Sequence, residues 1–584
     1  MYDQSLQENR LSVKRPWMKY YPEQFQHIEI PYCSLNQYLK QSIRSYDSPI
    51  INYYENTLTW NDILTKVEIV AKALKKLGCK ENDQIPVFLQ SVPEFIFILL
   101  AAEQIGAAVV CCDGLPEENK NAFKKTNSHI LFTHDYLSRE EEELYYKGTN
   151  LERIIKISPY HMADKDKMPS YVVDNIESKY SKELACNPAN LTWEEFEALG
   201  KSYVGEYEVS YNPSRPIFCA YTSGSTGPSK QVIHSSANIV GMMHQTAVFT
   251  AVIRFRLSWL TACLPPALLA VIVAMILTPM ASNQLLILEP FCPIKDVDLA
   301  LMRHKPNCWA LVPQLVDVLV SSERIPKDFS LEQLYAVGSG AEALNNKQIR
   351  NFQKFLRDHK CNSFFSVGYG MSEGGSGFTM PCQAKSIENC CCGVPMPATT
   401  IGIFDPTTNE EVDSGQIGEI CKNGPGIMLS YQDEESNHKV LQRHEDGKIW
   451  MHTGDYGYMT EDGVLYVMGR GLPERATGGY LFAVPMENKI CDIKGIKDAF
   501  FVIVDDIKNK GYSLPYLYLV LEDGVRLEDV QEKITNALEP HEHPVKITIL
   551  EKRPYFHFKT NRRGLAAEII AMQSAIENRR SSIK

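Results

Sequence analysis

The chain has 584 residues, of which 44% are hydrophobic and 22% charged, the proportions of a soluble globular protein large enough for three or four domains. Its formal net charge of −11 argues against nucleic acid as a partner and leaves small molecules and proteins. Sixteen cysteines are scattered, with adjacent runs at Cys111-Cys112 and Cys390-Cys391-Cys392, so neither a disulfide framework nor a zinc knuckle is expected and a reducing cytoplasm is.

Residues 1–30 are polar and aromatic, without the apolar core of a signal peptide, and read as an arm on the main body. Helices are expected around a short strand at Ile50–Tyr54. A strand at Gln84–Leu89, a helix at Val92–Gln104 and a strand at Ala107–Cys112 follow. This alternation, with further strands at His129–Thr133 and Arg153–Ile157, implies a parallel sheet covered on both faces. Residues 160–215 are charged and turn-rich, which predicts surface excursions.

An apolar strand, Ile217–Ala220, then runs into Tyr221-Thr222-Ser223-Gly224-Ser225-Thr226-Gly227-Pro228-Ser229-Lys230. Eight of those ten residues are Gly, Ser, Thr or Pro, which excludes the interior of a helix or strand. Converging backbone N–H groups, hydroxyls and the Lys230 ammonium suit phosphate oxygens, and a flexible polar loop is the plainer alternative. The kinase-type loop is excluded, because Ser229 and Gln231 stand where its second glycine and its hydroxyl residue belong.

Beyond it, Ser235–Thr250 can be helical. Ser258–Leu264, Gln284–Leu288, Cys308–Val312 and Leu334–Val337 read as strands. The apolar run Ala267–Leu277 is too short to cross a bilayer and predicts a buried helix, with at most peripheral membrane contact. Gly338-Ser339-Gly340-Ala341-Glu342 ends one strand and offers either a binding edge or a turn. Strand Ser363–Val367 leads into Gly368-Tyr369-Gly370-Met371-Ser372-Glu373, where an aromatic could stack on a base and Glu373 could hold Mg²⁺. Residues 395–470 read as a small β-rich unit, and 475–584 as an α+β unit beyond a linker.

These pieces, in this order, resemble the adenylate-forming superfamily of acyl-CoA synthetases, peptide-synthetase adenylation domains and firefly luciferases, from about Ser34 to Leu565. Residues 222–230 resemble its T-S-G-S/T-T-G-x-P-K-G loop, with Pro228-Ser229 and Gln231 as departures. Gly368–Glu373 resembles Y-G-x-T-E with Ser372 for Thr. Gly418-Glu419-Ile420 with Tyr431, Thr453-Gly454-Asp455, Gly469-Arg470, and Lys559 with Arg562 and Leu565 resemble the remaining motifs.

The resemblance implies an α/β protein. A large N-terminal AMP-binding domain of parallel sheets (1–470) carries the β-rich subdomain 395–470. A hinge at 471–474 leads to a small mobile C-terminal domain (475–584). It implies an ATP-dependent, AMP-forming ligase that activates a carboxylic acid as acyl-AMP and passes it to coenzyme A. The alternatives are an enzyme loading an acyl carrier protein and a non-catalytic nucleotide-binding relative. The implied nucleotide cradle is Thr222, Ser223, Gly224, Ser225, Thr226, Gly227 and Lys230, with Gly340, Ala341, Glu342, Gly368, Tyr369, Gly370, Met371, Ser372, Asp455 and Arg470 around the adenosine. Glu373 and Thr222 are the implied Mg²⁺ ligands, and Lys559, Glu373 and Ser372 the implied catalytic residues. Leu268, Gly338, Gly478 and Gly479 would meet the acyl group and the thiol. The wholly aliphatic stretch Leu264–Leu269 suits an alkyl chain and the arm Trp17–Pro22 resembles that of long-chain acyl-CoA synthetases, so a medium- or long-chain fatty acid is expected, with chain length and aryl acids left open.

Overall fold

The computed structural model describes residues 10–112, 116–126, 128–181, 183–184, 187–222, 230–250, 256–382, 385–470, 479–509, 511–556 and 558–581. The expected hinge 471–474, Gly478 and the loop residues Ser223, Gly224, Ser225, Thr226 and Gly227 lie outside them.

Two large α/β sheets share one core. In the first, strands run in the order 430–431, 231–235, 216–221, 108–111, 84–88, 130–134, 153–157 and 191–192. Every pairing from 216–221 to 191–192 is parallel, and the two flanking pairings are antiparallel. The second runs 365–367, 336–339, 308–311, 258–262, 285–289, 49–53 and 56–59, parallel except for the last pair. The helix Pro93–Gln104 buries every residue through Glu103, so it has no solvent face and belongs to the core that joins both sheets.

The carboxylate of Glu103 is not stranded there. It accepts from the backbone N–H of Leu35 (2.7 Å) and Asn36 (2.9 Å), from Asn36 Nδ2, and from the Ser236 hydroxyl. Buried charge is tolerated because every lone pair has a donor, and the start of helix Ser236–Thr250 is thereby fixed.

Residues 160–215 correct the expectation of surface excursions. Helix Ser170–Glu177 buries Val172 and Ile176, and helix Trp193–Lys201 buries Trp193 and Phe196, all in the main core. Charge masked the pattern, although Thr192 and Glu195 spell a capping box that the structure forms. Gly200 lets this helix touch helix Trp60–Lys76 backbone to backbone, since a Cβ there would lie 2.1 Å from the Ile69 carbonyl oxygen. The apolar run after Pro266 forms a buried helix, π-type over Val271–Leu277, and among the described residues no helix is long and apolar enough to cross a membrane.

The third sheet is antiparallel, in the order 379–380, 391–395, 465–470, 449–459, 418–423 and 400–404, with 441–443 beside 449–459. The aromatic arm lies against it. Trp17 is buried with Met459 and Val464, and the Tyr21 hydroxyl donates to the Pro395 carbonyl. Gly463 (φ +83°) leaves room for the indole, because a Cβ there would meet Trp17 within 3 Å. Residues 479–581 carry a separate three-stranded sheet, 496–505, 513–521 and 546–549, with its own core.

Candidate active site

The carboxyl ends of the strands are where an open α/β sheet leaves backbone groups and loops to meet a ligand. Strands Ala336–Ser339 and Phe365–Val367 are parallel neighbours, so the segments after them emerge side by side. The Gly368 N–H donates to the Ser339 carbonyl, and the Gly340 N–H to that of Leu311. Gly338 faces Ser366 so closely that a Cβ would lie 2.7 Å from its hydroxyl. Ala341 adopts φ +69°, turning Glu342 away from the sheet axis.

Tyr369 is buried edge-to-face against Phe378 at 4.9 Å. Its hydroxyl donates to Asp455 Oδ2 (2.7 Å), while Arg470 Nε donates to Oδ1 (3.2 Å). Asp455 and Arg470 are register partners on strands Ile449–Met459 and Leu465–Arg470, which is why residues fifteen apart in sequence meet. Each Asp455 oxygen retains a further lone-pair direction, enough to accept from sugar hydroxyls. Glu419 supports this corner: Oε1 accepts from the Gly454 N–H (2.9 Å), and Oε2 faces His452 Nδ1 (2.9 Å). Donor atoms of Glu419, Cys421 and His452 lie within 4.8 Å of one another, a grouping that sequence spacing did not suggest.

Glu373, only 5% exposed, sits in the short turn Ser372–Gly374 between the paired strands Gly370–Met371 and Ser376–Gly377. Its Oε1 accepts from the Tyr431 hydroxyl (2.7 Å) and its backbone carbonyl from the Met428 N–H. Among the described residues no ammonium or guanidinium is in salt-bridge contact with this buried carboxylate. Burial of a carboxylate with one neutral donor is unfavourable until a cation joins it, so the residue fits a hard cation such as Mg²⁺.

Only the two ends of the phosphate-type loop are described. Thr222 and Lys230 close its base, with Thr222 N–H donating to the Lys230 carbonyl (2.9 Å) and Lys230 N–H to Thr222 Oγ1 (3.0 Å). Lys230 Nζ lies 5.1 Å from the centre of the Tyr431 ring, so the loop's cation and the Glu373 partner share one tyrosine.

The C-terminal unit reaches the same corner. The Thr560 N–H donates to Glu342 Oε2 (2.9 Å), and Arg562 pairs with Glu342 Oε1 and with Glu487 (2.7 Å). Lys559 lies beside them on the short strand Lys559–Thr560. Burial lowers its pKa from the ordinary lysine value, Glu342 opposes that shift, Arg470 adds to it, and Asp455 and Glu373 oppose it. The side chain is therefore within electrostatic reach of four residues at the strand ends. Glu342, grouped with the adenine edge from its sequence position, has its carboxylate committed to Thr560 and Arg562.

Two expected positions stand apart. Leu268 packs on the main core beside buried Leu264 and Leu269. Gly479 is exposed, with His541 close enough that a Cβ would lie 2.7 Å from its ring nitrogen. Glu419 and Tyr431 had appeared only as motif letters. His234 and Lys422, which hold the Glu373 turn, carried no sequence signal beyond a lone His and a lone Lys in strands.

The fold and the sequence both have close parallels. The structure matches a benzoate CoA ligase from Burkholderia xenovorans LB400 with a TM-score of 0.74 at 16% identity, covering 91% of this chain and 99% of that one. It matches an O-succinylbenzoate coenzyme A synthetase from Bacillus subtilis, in complex with ATP and magnesium ion, with a TM-score of 0.68 at 19% identity, covering 90% and 98%. In sequence it is 25% identical over 440 residues to a 4-coumarate–CoA ligase of Vanilla planifolia, 71% of each chain. Residues 40–432 match the family described as AMP-binding enzyme, and with two thirds of its length inside that match the chain belongs to the AMP-binding enzyme family.

Proposed function

We propose that the protein is an ATP-dependent, AMP-forming acid–thiol ligase, which joins a carboxylic acid to AMP and then passes the acyl group to coenzyme A. The observation that carries this reading is the meeting of Lys559, Glu342, Arg470, Asp455 and Glu373 at the strand ends, drawn from both units of the chain. The named relatives and solved neighbours, CoA ligases by their printed descriptions, support it.

In this reading residues 1–470 bind the nucleotide, and residues 475–584 form a mobile domain that turns about a hinge at 471–474. Asp455 and Arg470 address the ribose, Tyr369 with Gly340–Glu342 and Gly368–Met371 flank the adenine, and loop 222–230 with Ser372 receives the outer phosphates. Glu373, helped by Thr222, holds Mg²⁺, which when bound neutralises phosphate charge. Attack of the acid's oxygen on the α-phosphorus gathers negative charge, and Lys559 offsets it. The acid needs no general base because it is ionised at pH 7, so positioning and preorganised charge carry the step. In the second step the small domain turns, Lys559 withdraws, and Gly478-Gly479 flank the entering thiol.

The acid we propose is apolar. The aliphatic wall Leu264–Leu269, with Ala267 and Leu268 partly exposed and the rest buried, offers no charge to an amino group. The expectation of a fatty acid in particular is not supported by the relatives, whose names point to 4-coumarate and benzoate. A panel of alkyl and aryl acids, scored for pyrophosphate release with and without coenzyme A, tests the reading. AMP release that needs both an acid and free coenzyme A supports it. Release of AMP only with an acyl carrier protein as the acceptor, or no acid dependence at all, refutes it.

A further inference from the structure

Lys422 is fully buried, on strand Gly418–Asn423, and among the described residues no carboxylate pairs with it. Its Nζ donates to the Gly374 carbonyl (2.8 Å) and the Pro425 carbonyl (2.5 Å) and lies 5.2 Å from the centre of the Phe378 ring. His234 is also fully buried, on strand Gln231–Ser235 directly after the phosphate-type loop. Its Nε2 faces the Ser372 carbonyl at 2.7 Å, so that nitrogen carries the proton, and Nδ1 is buried without a partner.

The carbonyls on either side of Glu373 are thus each held by a buried side chain from a different strand, and its own carbonyl by Met428. Lys422 also ties that turn to the loop at Pro425, and this loop leads to Met428 and Tyr431, the other two partners of Glu373. The packing leaves little slack. A Cβ on Gly374 would lie 2.7 Å from the Phe378 ring, and one on Gly375 (φ +92°) 2.7 Å from the Gly426 carbonyl.

We propose that His234 and Lys422 are positioning residues for Glu373: they fix the peptide groups around it, and so the direction in which its carboxylate meets a cation. This rests on the ligase reading only for its kinetic consequence. A buried lysine is an unfavourable way to hold two carbonyls, and apolar residues of similar size would pack more easily. A lysine at this place is explained if the place of the turn matters more than stability. Burial pushes the Lys422 pKa down to about 7, and His234, the titratable group that faces it, down to about 4, so His234 stays neutral while Lys422 gains its charge.

The test uses the full chain and the variants Lys422→Met, His234→Leu and His234→Gln. The glutamine keeps an N–H donor near the place of Nε2. The two apolar variants are expected to raise the Mg²⁺ concentration for half-maximal acid-dependent pyrophosphate exchange by about tenfold, the value of one lost hydrogen bond, while KM for the acid stays constant. Lys422→Met should also remove an ionisation near pH 7 from the exchange profile, and His234→Gln should behave as the parent. Amide hydrogen exchange of residues 369–378 should quicken in both apolar variants. Unchanged protection there overturns the proposal whether or not the parent is a ligase. Failure of every acid to support exchange by the parent removes the ligase reading, and protection alone then decides the positioning role. An equal rise in KM for acid and for Mg²⁺ also overturns it, since that is the mark of general loosening.

Discussion

Glu342→Gln isolates the contact that brings Lys559 to the strand ends. Glu342 accepts from Thr560 N–H at 2.9 Å and pairs with Arg562, the two side chains being 12% and 27% exposed. Hydrogen bonds to a charged group in such a setting contribute about 1.5–3 kcal/mol each. Glutamine keeps one acceptor for Thr560 and turns an NH₂ group toward the guanidinium, so one charge-assisted bond is lost. A loss of about 2 kcal/mol lowers the docked population, and with it acyl-AMP formation, by roughly 30-fold. Arg562 keeps Glu487 and the Phe501 carbonyl as partners, so the C-terminal unit itself stays folded. The assay compares acid-dependent pyrophosphate exchange with thiolysis of supplied acyl-AMP. Exchange should fall and thiolysis should not, because in the proposed mechanism the second step follows release of the Glu342 contacts. Equal losses, or none, would refute the assignment of Glu342 to docking.

Other changes have equally definite outcomes. Lys559→Ala should slow acyl-AMP formation by about 10²-fold or more, with thiolysis spared, as measured in the same two assays. Because burial lowers the Lys559 pKa, its ammonium is present below that value and lost as pH rises through it, so the alkaline limb of kcat for acyl-AMP formation should lie below that of a free lysine and vanish in the alanine variant. Trp17→Ala should cost about 3–5 kcal/mol in chemical unfolding, since a fully buried indole leaves a cavity beside Gly463. Lys422→Met should be more stable than the parent below pH 7. The unfolded lysine titrates near 10.5 and the folded one near 7, so the unfolded state binds more protons between them and the parent gains stability as pH rises across that window, on the order of 5 kcal/mol in all. Melting temperatures at pH 6 and pH 10 should show the gap between variant and parent shrinking at the higher value.

Much of the architecture was legible because periodic apolar patterns dominate it. The strands at 84–88, 153–157 and 308–311 and the helix at 93–104 lie within a residue or two of their expected places, and each is buried on nearly every face. Helices 170–177 and 193–201 were not legible, because four apolar residues in each eight- or nine-residue helix, set in a charged and turn-rich stretch, are too few to fix a period. Sequence order singled out Tyr369, Asp455 and Arg470, but the Asp455–Arg470 pair follows from the register of 449–459 against 465–470 and the Tyr369 bond from the tertiary fold, neither of which a local pattern encodes. His234 and Lys422 were silent for a related reason. Each is one of several polar residues in a short mixed strand, and its meaning comes only from the carbonyl that a distant turn places opposite it.

The charge at the strand ends also explains why a second unit has to take part. Asp455, Glu373 and Glu342 place three carboxylates near one another, and Arg470 is already bonded to the first. A nucleotide bringing further negative charge would be repelled by that group unless cations accompany it. A cation at Glu373 supplies one, and Lys559 with Arg562 supplies others only while the C-terminal unit is docked. Fixing Lys559 permanently in this half-buried position would keep its charge desolvated throughout the cycle, and burial already lowers its pKa. In the proposed mechanism, carrying it on a separate unit would confine that unfavourable burial to the step in which phosphate charge is present to offset it. In the proposed two-position reading, the Glu342 contacts to Thr560 and Arg562 set the docked geometry and have to be released for the second step.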